Sequence, residues 1–217
     1  MSGDFFDVLE ISDSVAGMFI CDAMGHGVRA ALVAAIVRDL LQESKDVWPY
    51  SEKLIDRLNR QLCRSLCHRD SLIFVSAFYA VADLGEGELR YTNAGHPSPL
   101  HVPDPQRSRV PRKLDGFRPG PALGLFEDAT YEEHRCVLTA RDVFLLFTDG
   151  LFEVEGPEGR SSDYPDLMQA VSRRRDLSIT EMCRGVIDEF QHFSANQEFS
   201  DDMCLVAMEV DRLADNS

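Results

Sequence analysis

The run Val15-Ala16-Gly17-Met18-Phe19-Ile20-Cys21, followed by Asp22-Ala23-Met24-Gly25-His26-Gly27 and then by Ala30 to Leu41, changes its hydrophobic period midway. Up to Cys21 it is apolar almost throughout, the pattern of a strand buried on both faces. From Ala30 the apolar residues recur at helical spacing, with Arg38 and Asp39 marking the wet side. Glycines between the two segments allow the tight turn that joins them. Upstream, Phe5 to Ile11 reads as a strand and Ser12-Asp13-Ser14 as a turn, so the chain opens with a hairpin.

Working outward, Trp48-Pro49-Tyr50-Ser51 breaks the first helix, and Ser51 is placed to N-cap a second that runs to about Cys67. Leu54, Ile55, Leu58, Leu62 and Leu66 form its apolar stripe. Strands are predicted at Leu72–Asp83, Glu88–Thr92, Pro99–Val102, Tyr131–Leu138, Asp142–Phe147 and Met203–Val210, with a hairpin turn at Gly85-Glu86-Gly87. Residues 103–121 hold five prolines and read as an exposed loop, and helices are expected at 166–175 and 179–193. Grouped strands and paired helices point to an α+β fold with helices covering a mainly antiparallel sheet core.

At 217 residues the chain is long enough for a single well-cored domain over 1–217. Its formal net charge of −15 argues against nucleic acid as a partner. That acidity is either a solvated surface or, in part, a site that gathers carboxylates around divalent cations. The six cysteines form no CxxC pair and read as reduced thiols of a cytoplasmic protein. Cys63, Cys67 and His68 are compatible with a metal site, but a four-residue spacing in a helical pattern is that of a core-facing stripe. The start is polar, without the apolar segment of a secretory signal, and no apolar run has the roughly 20 residues of a membrane span.

Four segments each place an aspartate at a strand end or in a turn: Gly3-Asp4, Asp22-Ala23, Thr148-Asp149-Gly150 and Ser200-Asp201-Asp202. One such aspartate is usually a turn former. Several beside strongly apolar strands imply carboxylates that converge at a sheet edge if the strands are neighbours. Converging carboxylates raise one another's pKa unless cations lie between them. Hard oxygen donors suit Mg²⁺ or Mn²⁺, and a pair of such ions supports hydrolysis of a phosphoryl group without a protein nucleophile. Consistent with this, the sequence has no G-x-S-x-G elbow and no P-loop.

At these residues a family becomes visible. Gly3-Asp4-Phe5-Phe6-Asp7 and Asp22-Ala23-Met24-Gly25-His26-Gly27-Val28-Arg29-Ala30-Ala31-Leu32 resemble the opening of the SpoIIE/RsbU-type phosphatases, the bacterial branch of the protein phosphatase 2C-like (PPM) superfamily. Tyr91-Thr92-Asn93-Ala94-Gly95-His96-Pro97 is similar to its central motif. Ala122-Leu123-Gly124-Leu125, Leu146-Phe147-Thr148-Asp149-Gly150-Leu151 and Ser200-Asp201-Asp202-Met203 follow in the family's order.

The resemblance implies a four-layer α-β-β-α sandwich, two antiparallel sheets flanked by helices. It implies two divalent cations, Mn²⁺ or Mg²⁺, and hydrolysis of phosphoserine or phosphothreonine. Carried over, Asp22 bridges both metals with help from the Ala23 carbonyl, and Asp4, Asp149 and Asp201 complete the set; Asp202 is the weaker candidate of its pair. Asp22, Asp149 and His26 are the candidate catalytic residues. For His26 a proton shuttle to the leaving oxygen and a helix-entry role both stand; Asp7 is either near the ligands or a strand-edge residue, and His96 reads as structural. The implied substrate is a phosphorylated anti-anti-sigma protein of the STAS type.

Two departures are visible. Ser2 stands where the family has the first glycine of Gly-Gly-Asp, and the strand that normally precedes this motif is missing. The chain is therefore expected to be an N-terminally truncated piece of a larger protein with an upstream sensor or receiver domain. A sheet edge is then left open to another chain, a homodimer among the outcomes. Two other function classes compete: a catalytically silent binding module of the same fold that sequesters a partner, and a hydrolase of small phosphorylated metabolites.

Overall fold

The computed structural model describes residues 2–25, 27–66, 73–107, 110–114, 119–194, 199 and 201–214. They fall into two compact units, Met1–His96 with Asp115–Leu138 and Leu213–Ser217, and Pro97–Leu114 with Thr139–Arg212.

The first unit is an antiparallel sheet with two helices. Strands β1 (Asp4–Ser12), β2 (Val15–Ala23), β3 (Val75–Asp83), β4 (Glu88–Ala94) and β7 (His134–Val137) lie in the order β1-β2-β3-β4-β7. Helix α1 (Val28–Glu43) buries Ala30, Val33, Ala34, Val37 and Leu41, a single stripe at helical spacing. Helix α2 (Ser51–Leu66) adds Leu54, Ile55, Leu58 and Leu62, all fully buried, against Phe19, Cys21, Tyr79 and Val81 of the sheet. Between the helices, Trp48 is clamped: its indole N–H donates to the Leu41 carbonyl (2.9 Å), and its own carbonyl accepts from the Tyr79 hydroxyl (2.7 Å). Burial pushes the Tyr79 phenol well above its ordinary pKa, so it remains a donor.

Ser51 does not cap α2 with its side chain. It is buried in the first turn, where its hydroxyl donates to Glu133 (3.0 Å) and accepts from Thr92 (2.9 Å). Cys63 sits in the core and contacts Asn59, as the stripe predicts, whereas Cys67 and His68 lie outside the described residues.

The second unit is a four-stranded antiparallel sheet in the order β6-β5-β8-β9, with β5 (Leu100–Val102), β6 (Arg112–Lys113), β8 (Val143–Phe147) and β9 (Leu205–Glu209). The short β6 lies inside the stretch read from sequence as a loop. Helices α3 (Tyr164–Ser172) and α4 (Ile179–Phe193) each begin with a capping box, Asp163 with Asp166 and Ser178 with Glu181. Leu167, Val171, Met182, Val186 and Phe190 pack with Leu145, Phe147 and Phe152 into the unit's core. Among the described residues, two antiparallel sheets and four α-helices make the chain α+β, as predicted. No described helix is long and apolar enough to cross a membrane.

Candidate functional site

In the first unit, Asp4 opens β1 and Asp22 lies near the end of β2. The antiparallel register sets them directly opposite each other, and Ser76 of β3 continues the row as the partner of Asp22. Side chains alternate along a strand. Phe5, Phe19, Cys21 and Ala77 belong to the core beneath the helices, so Asp4, Asp22 and Ser76 share the other face. Like charges directly opposite one another destabilise a sheet unless a cation offsets them.

Gly3 presses the chain against the end of β2. A Cβ there would lie 2.8 Å from the Ala23 carbonyl oxygen and 3.1 Å from the Ala30 Cβ, so only glycine fits. The Ala23 amide also donates to the Gly3 carbonyl (3.2 Å). Ser2, by contrast, is exposed, and its hydroxyl accepts from the Asp4 amide (3.0 Å); the family's first glycine position tolerates a side chain here. Gly25 and Gly27 have φ of 95° and 79°, left-handed values that let β2 turn into α1 without a side-chain cap. His26 lies outside the described residues. Asp7 is on the helix face, away from Asp4, and accepts from Gln42 of α1 (3.0 Å) and from the Val8 amide (2.9 Å). Those contacts favour its strand-edge role.

In the second unit, β8 delivers Asp149 to the first position of a 3₁₀ turn, Asp149–Leu151. Thr148 pins this end of β8 to the start of β9: its amide donates to the Cys204 carbonyl (3.1 Å) and its hydroxyl accepts from the Cys204 amide (2.9 Å). Gly150 packs directly on the Asp201-Asp202 segment, where a Cβ would come within 2.0 Å of the Asp202 carbonyl oxygen and 3.6 Å of the Asp201 Cβ. Asp201 accepts from the Asp202 amide (2.8 Å), which fixes the turn.

The predicted residues thus fall in two places: Asp4 opposite Asp22 beside Ala23, and Asp149 in the turn whose Gly150 packs on the Asp201-Asp202 segment. Among the described residues, no three or more His, Cys, Asp or Glu side chains gather into a group that could hold a metal ion. Each group offers carboxylate oxygens, and the first adds the Ala23 carbonyl, donors that fit Mg²⁺ or Mn²⁺ rather than a thiophilic ion.

Sequence reading did not single out Ser76. The signal was present as a single serine in the otherwise largely apolar run Val75–Val81. His96, read as structural, is 3% exposed and meets Ser76 through its Nδ1 (2.9 Å).

Residues 12–211 match the family described as Stage II sporulation protein E (SpoIIE). The chain is 26% identical over 212 residues to the phosphoserine phosphatase RsbP of Bacillus subtilis, covering 97% of this chain and 49% of that protein. It is 23% identical over 203 residues to the phosphoserine phosphatase RsbU of the same organism, covering 92% and 58%. The chain spans about half the length of these curated relatives. The solved structure of the RsbU and RsbW domains of Rv1364c from Mycobacterium tuberculosis matches with a TM-score of 0.81 at 22% identity, over 99% of this chain and 58% of that one, a likeness of fold. With motifs in the family's order, a matching fold and a match over nearly all its length, the chain belongs to the SpoIIE family, the SpoIIE/RsbU-type branch of the PPM (protein phosphatase 2C-like) phosphatase domains.

Proposed function

We propose that the chain is a metal-dependent protein serine/threonine phosphatase that hydrolyses phosphoserine or phosphothreonine on an anti-anti-sigma protein of the STAS type. The observation that carries this reading is the cross-strand pair Asp4 and Asp22, with the Ala23 carbonyl held against Gly3. Two carboxylates on adjacent strands, in a family of phosphatase domains, are best accounted for as cation ligands.

The proposed ligands for two divalent cations, Mn²⁺ or Mg²⁺, are Asp4, Asp22 and the Ala23 carbonyl from the first unit, and Asp149 and Asp201 from the second, with Asp202 as the alternative to Asp201. Bound cations would supply an acidified water and polarisation of the phosphoryl oxygens. The chain's own part is positioning. The β1–β2 register orients Asp22, and the Thr148 clamp and the Gly150 contact hold Asp149 and the 201–202 segment. His26 stands as a candidate proton donor to the leaving seryl oxygen. The substrate class is supported by the likeness to RsbP and RsbU, both named as phosphoserine phosphatases.

The test is turnover of a phosphoserine peptide and of p-nitrophenyl phosphate, with and without Mn²⁺, for the wild type, Asp22→Asn and Asp149→Asn. Turnover that needs Mn²⁺ and is lost in both variants is expected. Metal-independent turnover, or turnover that survives Asp22→Asn, would overturn the metal mechanism. Absence of both turnover and Mn²⁺ binding would favour the silent binding module.

A further inference from the structure

The central motif Tyr91–Pro97 forms a clasp whose chemistry the proposed reaction does not yet use. Asn93 grips the main chain of His96 from both sides: its Oδ1 accepts from the His96 amide (2.8 Å) and its Nδ2 donates to the His96 carbonyl (3.0 Å). The Asn93 carbonyl in turn accepts from the Gly120 amide (2.9 Å). Gly95 makes the turn at φ 74°, a value that disfavours a side chain, and a Cβ there would crowd the Ala122 amide at 3.1 Å. The imidazole so held is nearly fully buried, and its Nδ1 lies 2.9 Å from the Ser76 hydroxyl. Ser76 is the register partner of Asp22, which is the register partner of Asp4.

A serine hydroxyl has one proton to give. If Ser76 donated it to His96, the hydroxyl's lone pairs would be left toward a row that carries two carboxylates, an unfavourable arrangement. If His96 donates from Nδ1–H instead, the Ser76 proton is free to point along the row toward Asp22.

We propose that His96 is a positioning residue: with its main chain held by Asn93 and its ring in the Nδ1–H tautomer, it turns the Ser76 hydroxyl toward Asp22 and so fixes the orientation of that carboxylate for cation binding. Partners of this kind, one step removed from the ligands, commonly change metal affinity by about 10–100-fold. The assignment explains why a histidine is clasped by its main chain at this turn and why a serine stands near the start of an apolar strand. It rests on the proposed role of Asp22 as a metal ligand.

The experiment is calorimetric titration of the metal-free full chain with Mn²⁺, for the wild type, Ser76→Ala, His96→Ala, His96→Asn and the Ser76→Ala/His96→Ala double variant. Thermal melts verify that each is folded, and ¹⁵N NMR of the wild-type imidazole reads the tautomer. Ser76→Ala and His96→Ala should each weaken Mn²⁺ binding by about tenfold. The double variant should be no weaker than the poorer single one, because both act through one chain of bonds. His96→Asn, which places an amide N–H near the Nδ1 position, should recover most of the loss. Unchanged affinity in a folded Ser76→Ala, additive losses, or an imidazole protonated on Nε2 alone would overturn the proposal while leaving the phosphatase reading intact. A wild type that binds no Mn²⁺ would overturn both.

Discussion

A methyl group on Gly150 would have to occupy space 2.0 Å from the Asp202 carbonyl oxygen, a distance main-chain atoms cannot accept. Gly150→Ala must therefore push the 201–202 segment away from Asp149. Overpacking of this kind costs about 1–3 kcal/mol. The variant should melt earlier and bind Mn²⁺ more weakly than the wild type, by thermal scan and titration; unchanged affinity would remove the segment from the ligand set. Asp142 makes a different kind of residue-level claim. Its buried carboxylate accepts from the Thr139 amide and hydroxyl (3.1 and 2.6 Å) and the Asp104 amide (3.2 Å), and lies 3.1 Å from His101 Nε2. Burial pushes its pKa up, but the His101 and Thr139 hydrogen bonds, the His101 charge and the Asp104 amide outweigh that and hold it below the ordinary value. A carboxyl depressed in the folded state contributes stability that is present above its unfolded pKa and lost as pH falls through the folded one. Asp142→Asn should cost about 1–3 kcal/mol at neutral pH. In urea titrations the gap from wild type should close as pH falls below the ordinary carboxylate range; a gap independent of pH would contradict the assignment.

Helix α2 supports the start of β3 through one buried side chain. Asn59 donates to the Phe126 carbonyl (2.8 Å) and accepts from the Gly124 amide (2.9 Å), and Leu123, just before Gly124, is bridged to Val75 by a reciprocal pair of hydrogen bonds (3.0 and 2.8 Å). Asn59→Leu would strand both main-chain groups, at about 1–3 kcal/mol each. It should destabilise the chain in urea far more than a substitution at exposed Arg60; a loss no greater than at Arg60 would show that water replaces the amide. Elements of this size were readable where periodicity alone decides them. Leu54, Ile55, Leu58 and Leu62 of the predicted α2 stripe are fully buried, the fifth, Leu66, having no described side chain, and β2 is buried through its centre. What escaped was set by partners distant in sequence. Ser51 looked like a cap because its contacts with Thr92 and Glu133 cannot be seen locally. The two-residue β6 has no pattern of its own and exists through pairing with β5. The acidic pair shows the limit most sharply. Ser12 pairs with Val15, and carrying that register back would set Asp4 opposite Ala23; the irregularity between Glu10 and Ser12 shifts it by one, so that Asp4 meets Asp22. The aspartates were legible as candidates, but their juxtaposition depends on a bulge that composition does not announce.

Across the whole chain, 37 acidic residues against 22 lysines and arginines leave a net charge of −15, and self-repulsion of that size opposes the compact state. Two effects of added salt must then be separated. Screening of surface charge depends on ionic strength alone and acts alike for NaCl and MnCl₂. Binding to a native site depends on the cation and its ligands, and stabilises by RT ln(1 + [L]/Kd), about 2.7 kcal/mol at a hundredfold excess over Kd. For a protein of this length each kcal/mol raises the melting midpoint by about 2–4 °C. MnCl₂ at that excess should therefore raise the midpoint by about 5–10 °C beyond NaCl of equal ionic strength, and EDTA should reverse the gain. Asp22→Asn should keep the NaCl response and lose the Mn²⁺ increment. An equal response to both salts in the wild type would mean that the acidity is only a solvated surface. An increment that survives Asp22→Asn would mean that Mn²⁺ binds elsewhere on an acidic chain, so this variant separates a built site from diffuse attraction.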